Sequence, residues 1–163
     1  MSGGVEYDTS GGADPEELLR FYERQRHATT HSPEKLQRMI ANTFCLVTAR
    51  KGGELIGLAR GVTDGVRGHL VECKLDPSCQ GPACVTHTDG RIEHDAAGVA
   101  REMALRVIDS FRRSGVERVD VLAYGTEEDF CKELGFKRSP GLVALQMDPN
   151  DAPALTAGED QEA

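Results

Sequence analysis

The clearest pattern of apolar and polar positions lies between Asp95 and Gly115. Apolar side chains recur there at steps of three and four residues, which is the spacing of one face of an α-helix. These side chains are Val99, Ala100, Met103, Ala104, Val107, Ile108 and Phe111. Asp95 can cap the first turn, and Gly115 can end the helix in the left-handed conformation. The pattern therefore predicts one long amphipathic helix, around which the rest of the chain is organised.

Two shorter helices are predicted nearer the N-terminus. The sequences DPEE at 14–17 and SPE at 32–34 each place a capping residue directly before a proline in the first helical turn. Apolar side chains follow both starts, namely Leu18, Leu19 and Tyr22 in the first helix and Leu36, Met39 and Ile40 in the second. The Gly- and Ser-rich residues 1–13 are expected to be mostly loose, with VEY at 5–7 as the only short strand they offer.

From residue 44 the pattern becomes that of β-strands. Residues 44–49 and 55–59 predict a hairpin around a Gly-Gly turn, and residues 69–75 predict a further strand. Alternation along that strand places His69 and Glu72 on opposite faces. A strand over 118–124, a short helix over 126–134 and a last strand over 142–147 complete the domain.

Length, charge and cysteine content narrow the class of protein. The 163 residues suffice for one domain, expected over 14–147, with a flexible N-terminus over 1–13 and a disordered acidic tail over 148–163. A formal charge of −8 argues against nucleic-acid or anionic-membrane binding and suits an amine-bearing partner. No membrane span or signal peptide is evident, so we expect a cytoplasmic protein. Five cysteines, an odd number, are consistent with reduced thiols.

Several short motifs resemble those of the GCN5-related N-acetyltransferase (GNAT) family. FCKELGF at 130–136 is similar to the family's Phe-Tyr-x-x-Leu-Gly-Phe, and DAAGVA at 95–100 to its pyrophosphate signature. LDPSCQG at 75–81 resembles the end of the family's fourth strand, and Gly57 the small residue of its second hairpin arm. The resemblance covers about residues 14–147. It implies an α+β fold with a central mixed sheet of six to seven strands, strands four and five splayed, and about four helices.

The resemblance also implies a function. In the GNAT family, acyl-coenzyme A (acyl-CoA) lies between the splayed strands, and its pyrophosphate lies at the N-terminus of the long helix. The chain would accordingly be an N-acyltransferase that uses acetyl-CoA or another acyl-CoA to modify a small-molecule amine. Leu75 would contact the pantetheine arm through its backbone, and Gly98, Val99, Ala100 and Arg101 would hold the pyrophosphate. The oligomeric state stays open, a homodimer included.

Acyl transfer to an amine needs a base for the ammonium proton and an acid for the departing thiolate. Glu72 and His69 are the candidate bases, although each is also an ordinary surface strand residue. Cys131 stands where the family has its tyrosine acid. Tyr124 is an alternative hydrogen-bond donor, with a half-buried core role as its ordinary interpretation.

Departures from the family pattern leave other functions open. Asp95 replaces a Gln or Arg, and its carboxylate would repel phosphate and could itself bind the helix N–H groups. Together with Cys131 and an insert over 78–94, this allows a divergent protein that binds a ligand or acyl-CoA without acetyl transfer, or a different reaction that uses Cys131 or a loop metal.

The insert supplies residue types that zinc binds, which with the preceding strand are Cys73, Cys79, Cys84, His87 and His94. Their spacing matches no standard zinc motif. The sequence therefore favours an insert that shapes the acceptor site without a metal.

Overall fold

The computed structural model describes residues 4–25, 31–80 and 91–156. Within these residues, one sheet contains β1 (Val5–Asp8), β2 (Cys45–Lys51), β3 (Glu54–Thr63), β4 (Arg67–Leu75) and β5 (Arg118–Val121), in chain order. Neighbouring strands are antiparallel except β5, which is parallel to β4. The helices are α1 (Pro15–Glu23), α2 (Pro33–Asn42), α3 (Val99–Arg113) and α4 (Glu128–Glu133). None of the described helices is long and apolar enough to cross a membrane.

Helices cover both faces of the sheet and create two buried clusters. On one face α1 and α2 pack against β2 and β3, and Leu46 belongs to this cluster. On the other face α3 and α4 cover the sheet, and Val47 belongs to that larger cluster. Leu46 and Val47 face opposite ways because successive side chains of a strand alternate. The predicted α+β class is therefore confirmed.

The close contact of α3 with the sheet depends on glycine. A Cβ atom at Gly57 would lie 2.8 Å from Cε of Met103, and one at Gly61 would lie 2.5 Å from Cζ of Phe111. A larger residue at either position would force the Met103 or Phe111 side chain to shift, because atoms in a packed core cannot approach so closely. The small residue that the resemblance identified at position 57 thus has a steric reason.

A β-bulge in β4 changes which side chains share a face. The pairing with β3 skips Val71, which is left without a partner on that strand. Leu70 before the bulge and Cys73 after it consequently both lie in the cluster under α3. The prediction that His69 and Glu72 lie on opposite faces is therefore wrong, because the extra residue places both on the face opposite α3.

The two ends of the chain compare differently with expectation. The short strand that residues 5–7 offered is found as β1 (Val5–Asp8), which pairs with β2, and the Arg106 guanidinium lies 5.0 Å from the centre of the Tyr7 ring. Residues 142–147, predicted as the last strand, belong to no strand, and Leu142, Val143, Leu145 and Met147 are exposed. The described part of the sheet consequently has five strands, and the predicted six to seven are not found. Apolar character favours a strand, but only a partner strand completes one.

Candidate functional site

β4 and β5 lie side by side over only part of their length. Residues 67–70 pair with residues 118–121, and β5 ends there while β4 continues to Leu75. The strands therefore separate at the point where the resemblance places acyl-CoA. We call the resulting gap the cleft.

The cleft is filled by residues 91–95 of the same chain, which we call the cleft segment. The N–H of Cys73 donates to the carbonyl of Arg91 at 2.9 Å, and the N–H of Glu93 donates to the carbonyl of Cys73 at 2.8 Å. Ile92, between them, forms an isolated parallel bridge with Cys73 and is fully buried. The segment thus continues the sheet where β5 leaves it.

A buried carboxylate fixes the segment to the end of β4. Oε1 of Glu93 accepts hydrogen bonds from the N–H of Leu75 at 2.8 Å and from the amide of Gln80 at 3.2 Å. The ammonium of Lys74 lies 3.5 Å from Oε2. Burial raises the pKa of Glu93 above its usual value, and the charge of Lys74 opposes that rise.

A second buried carboxylate holds the segment from the β5 side. Oε2 of Glu127 accepts from the N–H groups of Arg91 and Ile92 at 3.0 and 3.1 Å. Its Oε1 accepts from the N–H of Tyr124 at 2.9 Å. Because a buried N–H without an acceptor costs about 1–3 kcal/mol, Glu127 is a strong determinant of the segment's position.

A third carboxylate occupies the N-terminus of α3. The helix begins at Val99, after Gly98 in a left-handed conformation (φ 88°). The Asp95 carboxylate accepts from the N–H of Val99 at 3.3 Å and from that of Ala100 at 3.0 Å. Asp95 therefore bonds the first turn, as predicted, although it lies four residues before the helix. Arg101 is exposed in the same turn and forms no ion pair within the described residues.

Glu72 belongs to a polar network on the α1 face of the sheet. Its Oε2 accepts from the hydroxyl of Tyr22 at 2.5 Å and from Nε of Arg60 at 2.7 Å. Burial raises the pKa of Tyr22 well above its usual value, and the Glu72 charge adds to the rise. Tyr22 from α1 and Arg60 from β3 thus hold the Glu72 carboxylate on this face. No local motif marks Tyr22 or Arg60, because the network joins residues far apart in sequence.

Cys131 and His69 are poorly placed for proton transfer in the cleft. Cys131 is buried in the cluster under α3, and burial together with the charges of Glu127 and Glu128 raises its pKa to about 12. Nδ1 of His69 lies 3.1 Å from the carbonyl of Asp120, beside the paired part of β4. That position is roughly 20 Å along the strand from Leu75, at about 3.3 Å per residue.

Tyr124 is the remaining catalytic candidate, and it lies near the cleft. It is half-buried just after β5, and Glu127 joins its backbone to the cleft segment. The structure thus brings Leu75, Val99, Ala100 and Tyr124 around the cleft. Glu93 and Glu127, which sequence reasoning missed, bond to the backbone there, and their only sequence signal is their place beside predicted elements.

The proposed zinc ligands are only partly described. Cys84 and His87 lie outside the described residues. The His94 ring stacks on Phe130, with ring centres 4.9 Å apart. Across residues 4–25, 31–80 and 91–156, no three His, Cys, Asp or Glu side chains are grouped to hold a metal ion.

The cleft carries the kinds of group that acyl-CoA needs, but the chain itself occupies them. Pantetheine contains amides, which pair with a strand as a peptide does, and pyrophosphate is an anion suited to helix N–H groups. In this structure the peptide groups of Cys73 bond to the cleft segment, and the N–H groups of Leu75, Val99 and Ala100 bond to carboxylates. The donor set therefore fits the amides and the pyrophosphate of acyl-CoA, and residues 91–95 occupy it in this structure.

No family model matches the sequence, and no curated protein sequence matches it. Solved structures do match. A GNAT-family acetyltransferase from Streptococcus pneumoniae aligns with a TM-score of 0.64 and 16% identity over 89% of this chain and 100% of its own. Glucosamine-6-phosphate N-acetyltransferase from Arabidopsis thaliana aligns with a TM-score of 0.64 and 10% identity, over 89% of this chain and 99% of its own. An aminoglycoside N-acetyltransferase in complex with CoA aligns with a TM-score of 0.63 and 12% identity, over 90% of this chain and 97% of its own.

These structures cover most of this chain and nearly all of their own length. At such identities the likeness concerns the fold. The resemblance inferred from the sequence is confirmed at that level: the chain has the fold of the GNAT acetyltransferases.

Proposed function

We propose that this protein is an N-acyltransferase that uses acetyl-CoA or another acyl-CoA to acylate a small-molecule amine. The observation that carries the proposal is the row of backbone groups around the cleft, which runs from the peptides of Cys73 and Leu75 to the N–H groups of Val99 and Ala100. The fold supports the proposal, because the matching structures are acetyltransferases and one of them is in complex with CoA.

The chain's own residues would hold the cosubstrate through backbone and charge. Cys73 and Leu75 would pair with the pantetheine amides, and Val99 and Ala100 would donate to the pyrophosphate at the positive end of α3. Gly98 leaves the approach open, since a Cβ there would meet nothing within 4 Å. Arg101 would add a positive charge at the same turn. Bound acyl-CoA would supply the activated acyl group.

The acceptor amine would bind on the α1 face of β4. Gln25 donates its amide to the Leu75 carbonyl at 3.2 Å, while its buried Oε1 accepts no hydrogen bond in the described structure. A buried acceptor without a donor is costly, and an N–H of a bound amine would satisfy it. Glu72, fixed by Tyr22 and Arg60, adds negative charge on this face. Two of the matching structures are named for acceptors that carry amino groups, namely glucosamine-6-phosphate and an aminoglycoside.

Of the proton-transfer candidates, Tyr124 suits the acid best, because it lies at the cleft and its phenol is a proton donor. Cys131, with a pKa of about 12, holds its proton too tightly and is buried. Glu72 serves acceptor binding better than proton removal, since its Oε2 already accepts hydrogen bonds from Tyr22 and Arg60.

Thiol release from acetyl-CoA in the presence of a panel of amines tests the proposal. We expect release that depends on the amine, and we expect Gln25→Leu to raise the amine KM more than it lowers kcat. The matched control is Gln146→Leu in the exposed C-terminal stretch, which should change neither. Absence of release with every amine, together with absence of CoA binding, would contradict the proposal.

A second candidate function is ligand binding without acyl transfer. One observation favours it: the Asp95 carboxylate already bonds the α3 N–H groups that a pyrophosphate needs. This alternative predicts that CoA binds weakly even after Asp95 is replaced by a neutral residue.

A further inference from the structure

The cleft segment forms the same contacts that the proposed function assigns to acyl-CoA. Arg91 and Glu93 pair with Cys73 through peptide groups, where pantetheine amides would pair. The Glu93 carboxylate accepts from the N–H of Leu75, which a pantetheine amide carbonyl would otherwise bind. The Asp95 carboxylate accepts from the N–H groups at the start of α3, where pyrophosphate would bind. The segment thus offers an acceptor at each of these positions.

Simultaneous occupation is excluded by space and by charge. Ile92 is fully buried between β4 and the helices, so the gap has no room for a second chain beside it. Asp95 lies in hydrogen-bond contact with the same N–H groups, and its carboxylate would repel a phosphate placed there. Each N–H has one hydrogen to donate, so one acceptor must leave before another binds.

We propose that residues 91–95 are a built-in competitor of acyl-CoA, which binds only when this segment leaves the cleft. The inference rests on the proposed function and adds regulation of the same site. The segment is held by non-covalent contacts, chiefly the burial of Ile92 and the carboxylate of Glu127. Its occupancy of the cleft lowers the apparent affinity for acyl-CoA in proportion to the fraction of molecules that are open.

Hydrogen exchange of single amides in the full chain tests this without any variant. When CoA is added, the amides of Arg91, Ile92 and Glu93 should lose protection, because their acceptors are left behind. The amides of Cys73 and Leu75 should stay protected, because CoA replaces the segment as their acceptor. A ligand that bound elsewhere would not expose the amides of residues 91–93 while those of Cys73 and Leu75 stay protected.

Glu127→Ala provides the second arm, because Glu127 holds the segment but contributes nothing to the proposed CoA contacts. Calorimetric titration should show CoA binding tightened by about tenfold or more, as the open fraction rises. Glu128→Ala is the matched control: its side chain pairs with Arg138 and Lys132 on the surface, and CoA affinity should not change.

The outcomes separate the two proposals. CoA binding with residues 91–93 still protected would overturn the competitor and leave the acyltransferase standing. Absence of CoA binding in Glu127→Ala, when exchange shows that the segment has opened, would overturn the acyltransferase. If Glu127→Ala does not fold, hydrogen exchange in the wild-type chain still shows whether residues 91–95 leave the cleft when CoA binds.

Discussion

The two halves of β4 satisfy their backbone in different ways. Residues 67–70 pair with β5 in a regular parallel ladder, and Phe111 of α3 lies against Gly68 beneath them. Beyond the bulge, Cys73 and Leu75 bond to a segment of irregular chain and to the Glu93 carboxylate. β4 thus pairs with a regular strand at one end and with irregular chain at the other, and it is this second neighbour that we propose to be exchangeable.

Under the proposed function, this difference would let the sheet keep the acyl-CoA site closed. A ladder between two strands fixes many residues at once and opens only when the sheet unfolds. Side-chain carboxylates bond individual N–H groups, and each can be replaced by another acceptor. Glu93 bonds the N–H of Leu75 in the second half of β4, Asp95 bonds the start of α3, and Glu127 bonds the cleft segment itself.

The largest effect should come from removing the buried carboxylate of Glu127. Glu127→Ala leaves the N–H groups of Arg91, Ile92 and Tyr124 without their acceptor, and we expect a loss of about 3 kcal/mol in unfolding free energy. Urea denaturation measures it, with Glu128→Ala as the control that changes little. Equal stabilities of the two variants would contradict the role assigned to Glu127.

The half of the sheet where β4 pairs with β5 should instead depend for its stability on packing against α3. Gly61→Ala places a methyl group 2.5 Å from Phe111 and should cost about 1–3 kcal/mol without a specific change in CoA affinity. Gly125→Ala, where a Cβ meets nothing within 4 Å, is the matched control. If Gly61→Ala tightened CoA binding as Glu127→Ala should, the two halves would not be independent.

Replacing Asp95 should lower the stability of the protein and raise its affinity for CoA. Asp95→Gln removes a carboxylate from the helix start and should cost about 1 kcal/mol in stability, while CoA binds more tightly because the repulsion is gone. Asp109→Asn, in surface ion pairs at the other end of α3, controls for helix charge. Weaker CoA binding in Asp95→Gln would mean that the carboxylate contributes to the site.

The smallest effect concerns pH. Burial raises the pKa of Glu93 above its usual value of 4.5. The contribution of Glu93 to the free energy of unfolding is therefore complete below pH 4.5 and is lost as the pH rises through the raised pKa. Glu93→Gln keeps the acceptor for Leu75 and removes the titration. As the pH rises from the usual pKa of Glu93 through the raised one, the Glu93→Gln variant should therefore become more stable relative to wild type. Denaturation at several pH values measures this difference. A constant difference would contradict the shift.

Local signals explain which parts could be predicted from the sequence. α2 starts where Ser32 accepts from the N–H of Lys35, and α3 follows its apolar stripe, because caps and helical spacing act between neighbours. The domain boundaries and the cytoplasmic location stay predictions.

The predictions that failed concern features that depend on residues far apart in the sequence. The bulge at Val71 depends on the register with β3, and the filling of the cleft depends on contacts between residues 91–93 and both Cys73 and Glu127. The local pattern alone identifies the Asp95 carboxylate as a competitor for the helix N–H groups. It does not identify the neighbours of Asp95 in the cleft, because no spacing rule connects them.

A reversible cross-link shows whether the cleft segment must leave β4 before acetyl-CoA can bind. Ile92→Cys places a thiol opposite the native Cys73 in a parallel bridge, within the separation that a disulfide spans. Mass spectrometry would verify the bond between Cys73 and the introduced thiol, and oxidised wild type would control for the other thiols. The oxidised variant should not bind acetyl-CoA in calorimetry, and reduction should restore binding. Equal affinity in the oxidised and reduced forms would contradict the proposed competition.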